Sequence, residues 1–281
     1  MEWSDWAPWG IAVAVAVVAI ELWRINRKNR RLKALADEAE RNREQAIAEQ
    51  RRNQQLKQEM TSNIAHELKT PVSSIRGYLE ILLGNRPLSD EKRLYYLQRC
   101  YEQTLRLSAL LADVSMINKL EESATLFPVE PISLQKVANE AIAEFDDKAH
   151  DNHIAIKNLL PDTTIYGNDE LLYSIFRNLI ENSVNYAGAD STVVIETYKE
   201  PTDTVFLHFY DNGVGVADEY LARLFDRFVR IDQGRSRRSG GSGLGLSIVK
   251  HAVQFHGGEI YARNRVEGGL EYFFSLKINQ P

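Results

Sequence analysis

The sequence predicts an α+β chain in three parts. These are an N-terminal membrane-crossing helix, a helical hairpin that pairs with a second copy into a four-helix bundle, and a C-terminal sandwich of one mixed sheet with helices on one face. Three observations predict it. An uncharged run opens the chain. Apolar residues then step by three or four from Met60 to Ile117. Beyond residue 131, helical periods alternate with short β-rich runs.

The 281 residues suggest about two domains. A hydrophobic share of 44% and a charged share of 26% exclude a wholly disordered chain, a collagen and a disulfide scaffold. The net charge of −5 is unevenly spread. Residues 1–23 carry −3, residues 24–60 carry +5 and residues 61–281 carry −7. An acidic body argues against direct nucleic-acid binding, which needs a basic face. Cys100 is the single cysteine, so no intrachain disulfide forms and the bulk of the chain belongs in a reducing compartment.

From Trp6 to Ile20 there are 15 uncharged residues, and continuing past Glu21 to Trp23 gives 18. At 1.5 Å per residue it spans roughly 27 Å, a slightly short membrane crossing. Trp3, Trp6 and Trp9 stand at one end and Trp23 at the other, as interfacial belts do. Bases crowd the following flank (Arg24, Arg27, Lys28, Arg30, Arg31, Lys33), which puts the C-terminal side in the cytoplasm. A cleaved signal peptide would carry its bases first. The expectation is therefore an outer tail at 1–5, a single span at 6–23 and a helical connector at 24–55. The connector has no Gly or Pro, and Ile25, Leu32, Ala39, Ala46, Asn53 and Met60 recur every seven residues. A parallel coiled coil and a solvated single helix both fit.

Residues 56–121 read as a hairpin. Met60, Ile64, Leu68, Val72, Ile75, Leu79 and Leu82 mark one amphipathic helix, GNRPLSD (84–90) a turn, and Leu94 to Ile117 a second helix. Neither stripe can be buried by the pair alone, so a homodimeric four-helix bundle is expected. Within the first helix lies SNIAHELKTP (62–71). Pro71 removes the amide that would bond the Glu67 carbonyl, predicting a bend beside His66, and His66 and Thr70 share a face.

A linker at 122–131 leads to a domain at 132–281. Helices are expected at Leu134–Ala149, Asp169–Tyr186 and 243–257, and strands at 154–160, 165–167, 192–199, 204–211, 259–265 and 270–278. No Walker-A motif occurs. Four motifs carry chemistry. NLIENSVNY (178–186) lines Asn178, Asn182 and Asn185 along one helix face, suited to a hard cation or to an exposed polar surface. DNGVG (211–215) puts a carboxylate at a strand end before two glycines, and is also an ordinary turn. LFDRFVRID (224–232) interleaves aromatics with Arg227 and Arg230, a pattern more common in packing than in chemistry. GGSGLGLSIVK (240–250) runs a glycine loop into a helix N-terminus, where amides and dipole suit phosphate. Arg235, Arg237 and Arg238 precede it in a polar, glycine-rich stretch that reads as a lid.

SNIAHELKTP resembles the phosphoacceptor box of sensor histidine kinases. The four motifs, in this order, resemble the N, G1, F and G2 boxes of their GHKL ATPase domain. The resemblance covers about 225 residues, from 56 to the end. It implies ATP and Mg2+ as ligands, with His66 accepting the γ-phosphoryl group and Glu67 orienting or deprotonating its ring. Thr70 would place the water that dephosphorylates a response regulator. Asn182 would ligate the metal, Asn178 would assist phosphate or water positioning, and Asp211 would read adenine. Gly213 and Gly215 would let the chain pass near the base. Tyr186, Gly241, Ser242, Gly243, Leu244, Gly245 and Leu246 would complete the nucleotide site. Many relatives carry a basic residue where Asn185 stands, and the resemblance passes its phosphate contact to Arg227, Arg230 or the lid arginines. It further implies a homodimer in a bacterial inner membrane, N-terminus outside, serving a cognate response regulator. The stimulus would come from a membrane partner or the bilayer. Two readings compete: a chaperone- or topoisomerase-like ATPase, opposed by the box around His66, and a non-catalytic membrane scaffold, opposed by Asn182, Asp211, Gly243 and Gly245.

Overall fold

The computed structural model describes residues 7–84, 87–122, 127–200, 202–230 and 241–279. The chain divides into two compact units, Met1–Ser62 and Asn63–Pro281. Helix α1 (Ala7–Leu83) fits a sequence in which residues 24–60 lack Gly and Pro, and it continues through Pro71. In the first unit Arg24 pairs with Glu21 at 2.9 Å, and Arg27 lies over the Trp23 ring at 5.2 Å. Among the described residues no helix is long and apolar enough to cross a membrane. The side chains of residues 7–17 and of most heptad positions lie outside the described residues, and so do those of Trp3, Trp6 and Trp9.

In the second unit the end of α1 is followed by α2 (Asp90–Glu122), whose first turn carries Asp90 and Glu91 where the helix dipole favours acids. The Ser89 hydroxyl accepts from the Lys92 amide at 3.4 Å. Much of both stripes stays exposed, including Val72, Leu79, Leu94, Tyr101, Leu105 and Leu111. The C-terminal turns differ: Ile117 is buried, and Met116 and Leu120 pack on the core of the domain that follows.

That domain comprises β1 (Glu130–Ser133), α3 (Leu134–Glu144), α4 (Asp146–Asp151), β2 (Ala155–Asn158), β3 (Thr164–Gly167), α5 (Asp169–Tyr186), β4 (Thr192–Thr197), β5 (Thr204–Asp211), α6 (Asp218–Leu221), α7 (Gly245–Phe255), β6 (Ile260–Asn264) and β7 (Leu270–Lys277). The main sheet runs β2-β4-β5-β7-β6; β2 and β4 are parallel and the other pairs antiparallel. Strand parity sets its core face. Val193 and Ile195, then Val205, Leu207 and Phe209, then Tyr272, Phe274 and Leu276 turn towards α3, α5 and α7, which cover it. The mixed sheet and helical hairpin agree with the sequence reading.

Three elements differ from expectation. β1 lies partly in the stretch read as linker, because its antiparallel partner β3 is some thirty residues away and Pro131 obscures the strand pattern. The helix expected over Leu134–Ala149 breaks at Phe145 (φ −106°, ψ 6°), whose ring is buried. The short helix α6 has too few residues to show a period.

The Asn168 side chain caps α5, accepting from the Leu171 amide at 3.0 Å. The Asn168 backbone amide donates to His256 Nε2 at 3.1 Å, while His256 Nδ1 donates to the Ala252 carbonyl at 2.7 Å. Burial pushes the His256 pKa below its ordinary 6.5. Below pH 6.5 the unfolded chain takes a proton that the folded chain resists, so stability falls with pH. Equilibrium unfolding of the chain between pH 8 and 5 should show this loss beginning near pH 6.5, with a slope of at most about 1.4 kcal/mol per pH unit. His256→Gln should flatten that slope; an unchanged slope in the variant would assign it to other groups.

Candidate functional site

The inward row of β5 (Val205, Leu207, Phe209) ends on Asp211, so the same parity that builds the core buries a carboxylate at the strand end. Its Oδ2 accepts from the Ser183 hydroxyl at 2.9 Å. Oδ1 accepts from the amides of Gly213 at 3.0 Å and Leu270 at 3.2 Å. A carboxylate offers about four lone-pair sites, so one remains for a further donor.

Asp211 borders a cavity of about 1070 Å³. Asn178, Asn182, Asn185 and Tyr186 of α5 form one wall, as the three-and-four spacing requires. Asn178 Nδ2 donates to the Ser174 carbonyl at 2.8 Å, and Asn182 Nδ2 donates to Tyr272 Oη at 2.7 Å. Tyr272 is fully buried, and burial drives its phenol pKa upward, so it stays neutral. With its nitrogen engaged, Asn182 keeps its carboxamide oxygen for a ligand. That donor set suits Mg2+, which takes few protein oxygens and completes its shell with water and phosphate. Among the described residues no cluster of three His, Cys, Asp or Glu offers a metal cage.

The start of α7 lies against Asn178: a Cβ on Gly245 would stand 2.5 Å from the Asn178 Oδ1. Gly215, Gly241, Ser242, Gly243, Gly245 and Leu246 reach the cavity, and Leu244 is buried behind it. The Ser242 hydroxyl accepts from the Leu244 amide at 3.1 Å, and the Gly243 carbonyl accepts from Phe228 N–H at 2.8 Å. Unpaired first-turn amides and the helix dipole favour anions at such an end.

The hairpin closes the remaining side with Glu67, Arg106, Leu110 and Asp113. The Ser242 hydroxyl donates to Asp113 Oδ2 at 2.8 Å. Burial pushes the Asp113 carboxyl above its ordinary pKa, with this bond opposing. Glu67 meets Arg230 at 3.4 Å and Arg106 at 3.5 Å. His66 itself is exposed and, like Thr70, is not part of the cavity wall. The Thr70 hydroxyl donates to the His66 carbonyl at 3.3 Å.

Residues 167–280 match the family described as histidine kinase-, DNA gyrase B- and HSP90-like ATPase, and residues 56–123 match the His Kinase A (phospho-acceptor) domain. The chain belongs to the sensor histidine kinases. It is 31% identical over 231 residues to the signal transduction histidine-protein kinase BaeS of Escherichia coli, covering 82% of this chain and 48% of the relative. To the sensor protein kinase WalK of Staphylococcus aureus it is 30% identical over 234 residues, covering 82% and 56%. The chain thus spans about half the length of these curated relatives. The Acinetobacter baumannii histidine kinase AdeS shares its fold, with a TM-score of 0.62, 22% identity, and 76% and 98% of the two chains covered.

Within this sensor histidine kinase, the structure gathers Asn178, Asn182, Asn185, Tyr186, Asp211, Gly215 and the loop before α7 around one cavity, together with Glu67 and Arg230, while Gly213 is not on its wall. Arg227 is not on the wall and meets His251 Nε2 at 3.4 Å. Arg235, Arg237 and Arg238 lie outside the described residues. Sequence reasoning missed Ser183, Tyr272, Asp113 and Lys148. Asp113 had a signal, a lone acid in the apolar run LLADVSMI, and Tyr272 had strand parity. Lys148 had none, since its contact lies 37 residues away.

Gly269 was also missed. Its φ is +98°, and a Cβ there would lie 2.0 Å from the Asp211 carbonyl oxygen. Gly188 has a similar φ of +101° with nothing within 4 Å. Gly188→Ala should therefore cost about 1 kcal/mol in urea unfolding, from strain alone. Gly269→Ala should cost about 3 kcal/mol or more, from strain plus overlap. Equal losses would show that the backbone beside Asp211 moves freely.

Proposed function

We propose that the chain is a membrane-anchored, homodimeric histidine kinase that phosphorylates His66 from ATP and passes the phosphoryl group to an aspartate of a response regulator. One observation carries the reading: a single cavity joins Asp211, Asn182 and the α7 loop to Glu67, the residue beside His66. On this reading Asp211 accepts the adenine amine, and the amides at the start of α7 hold phosphates. Asn182 holds Mg2+, which neutralises phosphate charge when bound. A ring nitrogen of His66 attacks the γ-phosphorus, and the bond from that phosphorus to the bridging oxygen breaks, leaving ADP. The ring proton moves to Glu67, which is already oriented by Arg106 and Arg230. Positioning and charge neutralisation do most of the work in such transfers.

Dimerisation covers the exposed stripes of α1 and α2. The anchor rests on the apolar run at 6–23, uncharged but for Glu21, and on its basic flank, with the catalytic part on the cytoplasmic side of a bacterial inner membrane. A membrane partner or the bilayer supplies the stimulus.

His66→Gln should abolish acid-labile, base-stable labelling from γ-labelled ATP while ATP binding persists. Full labelling of the variant would remove His66 from the reaction. Thr70→Ala separates two activities. The Thr70 hydroxyl spends its proton on the His66 carbonyl and keeps its lone pairs for a water. Autophosphorylation should survive within a few-fold, and regulator dephosphorylation should fall roughly 10²-fold. Equal loss of both rates would assign Thr70 to shaping the helix before Pro71.

A further inference from the structure

Five cationic side chains reach the cavity wall among the described residues: Arg99, Arg106, Lys148, Arg177 and Arg230. Four of them face carboxylates. Arg99 meets Glu102 at 2.8 Å, Arg106 and Arg230 share Glu67, and Arg177 meets Glu144 at 3.1 Å and Glu181 at 3.3 Å. Lys148 is different. Its Nζ donates to the carboxamide oxygen of Asn185 at 2.6 Å, and no carboxylate among the described residues lies within 4 Å of it. A neutral acceptor fixes the place of an ammonium without cancelling its charge, whereas a carboxylate would do both. Asn185 stands three residues beyond Asn182 on the same face of α5, so this charge is held about one helical turn from the carboxamide of Asn182.

We propose that Lys148 is a phosphate ligand of the nucleotide site and that Asn185 positions it. The proposal rests on the reading of the cavity as an ATP site. It also answers where the phosphate charge is met once Asn185 is neutral, Arg230 pairs with Glu67 and Arg227 points to His251. The fork of α4 and α5 supplies it: α4 delivers the cation, and α5 delivers the oxygen that holds it. Two short segments distant in sequence thereby make one binding element.

The test is titration of the full chain with ATP, ADP and adenosine, for the parent and for Lys148→Gln, Lys148→Arg and Asp211→Asn. Lys148 is exposed, so its substitution leaves the core intact. Lys148→Gln should weaken ATP and ADP about 10-fold and leave adenosine unchanged, because adenosine has no phosphate to lose. Lys148→Arg should recover most of that loss. Asn185→Ala should weaken ATP in the parent and add nothing in the Lys148→Gln background, since it acts through the lysine. An unchanged ATP affinity in Lys148→Gln would overturn the proposal. So would an equal weakening of ATP and adenosine, which marks a structural role, or additive losses from Asn185→Ala. Asp211→Asn isolates the underlying reading: it should weaken all three compounds. If it weakens none, the cavity is not an adenine-nucleotide site and the proposal falls with that reading rather than on Lys148.

Discussion

A carboxylate cannot stay charged inside a protein unless hydrogen bonds replace the water it has lost. Asp211 is 3% exposed, and its three donors come from different places: Ser183 from α5, Gly213 from the loop after β5, and Leu270 from the start of β7. Each donor is itself a polar group that burial would otherwise orphan. The carboxylate and its surroundings therefore satisfy one another. Removing Asp211 would strand two amides and a hydroxyl, and moving any one of the three elements would uncover part of the charge. This mutual dependence makes the Asp211 end of the cavity its rigid end. Beside it the backbone is equally close, since Gly269 leaves no room for a side chain against the Asp211 carbonyl.

The hairpin side of the cavity is held differently. The Glu67 ion pairs are 3.4 and 3.5 Å long and partly exposed, a class worth about 0–1 kcal/mol each. The hydrogen bond from Ser242 to Asp113 adds about 1 kcal/mol. The Arg106 pair lies within the hairpin, so only the Arg230 pair and the Ser242 bond cross to it; together they are worth about 1–2 kcal/mol, a small bias towards one arrangement of loop and hairpin. On the proposed reading, the loop before α7 has to come to His66 with the phosphates and later withdraw. On that reading, contacts of this strength allow the movement, while the hydrogen bonds of the Asp211 cluster hold the other end of the cavity.

Much of this was legible because it depends on local periods. The α5 boundaries, the carboxamide row and the strand ending at Asp211 follow from spacings of 3.6 and 2 within single segments. What escaped depends on partners far apart in the chain. β1 is a strand only because β3 pairs with it. Phe145 interrupts a sequence with helical character because its ring is drawn into the core. Ser183 reads as an ordinary helical serine until Asp211 arrives beside it. Arg227, one of the alternatives for a phosphate contact, stands off the cavity wall beside His251, a neighbour 24 residues on that its aromatic motif does not signal.

The α5 row shows why carboxamides suit this position. An asparagine side chain has a donor end and an acceptor end, so it can anchor itself by one and work with the other. Asn178 and Asn182 spend their nitrogens on the Ser174 carbonyl and the Tyr272 phenol, which leaves the Asn182 oxygen to the cavity and sets the Asn178 oxygen one turn away, against Gly245. Asn185 is reversed: its oxygen is taken by Lys148, and the group it brings to the wall is an ammonium. Along one face of one helix the wall thus passes from a carboxamide oxygen to positive charge. On the proposed reading that order matches a metal-bound polyphosphate, whose cation needs hard oxygens and whose remaining phosphate oxygens need a cation. Carboxylates in the same positions would bind the metal but repel the phosphates. Neutral side chains avoid that conflict, and they can do so on a buried helix because each has a partner for its other end.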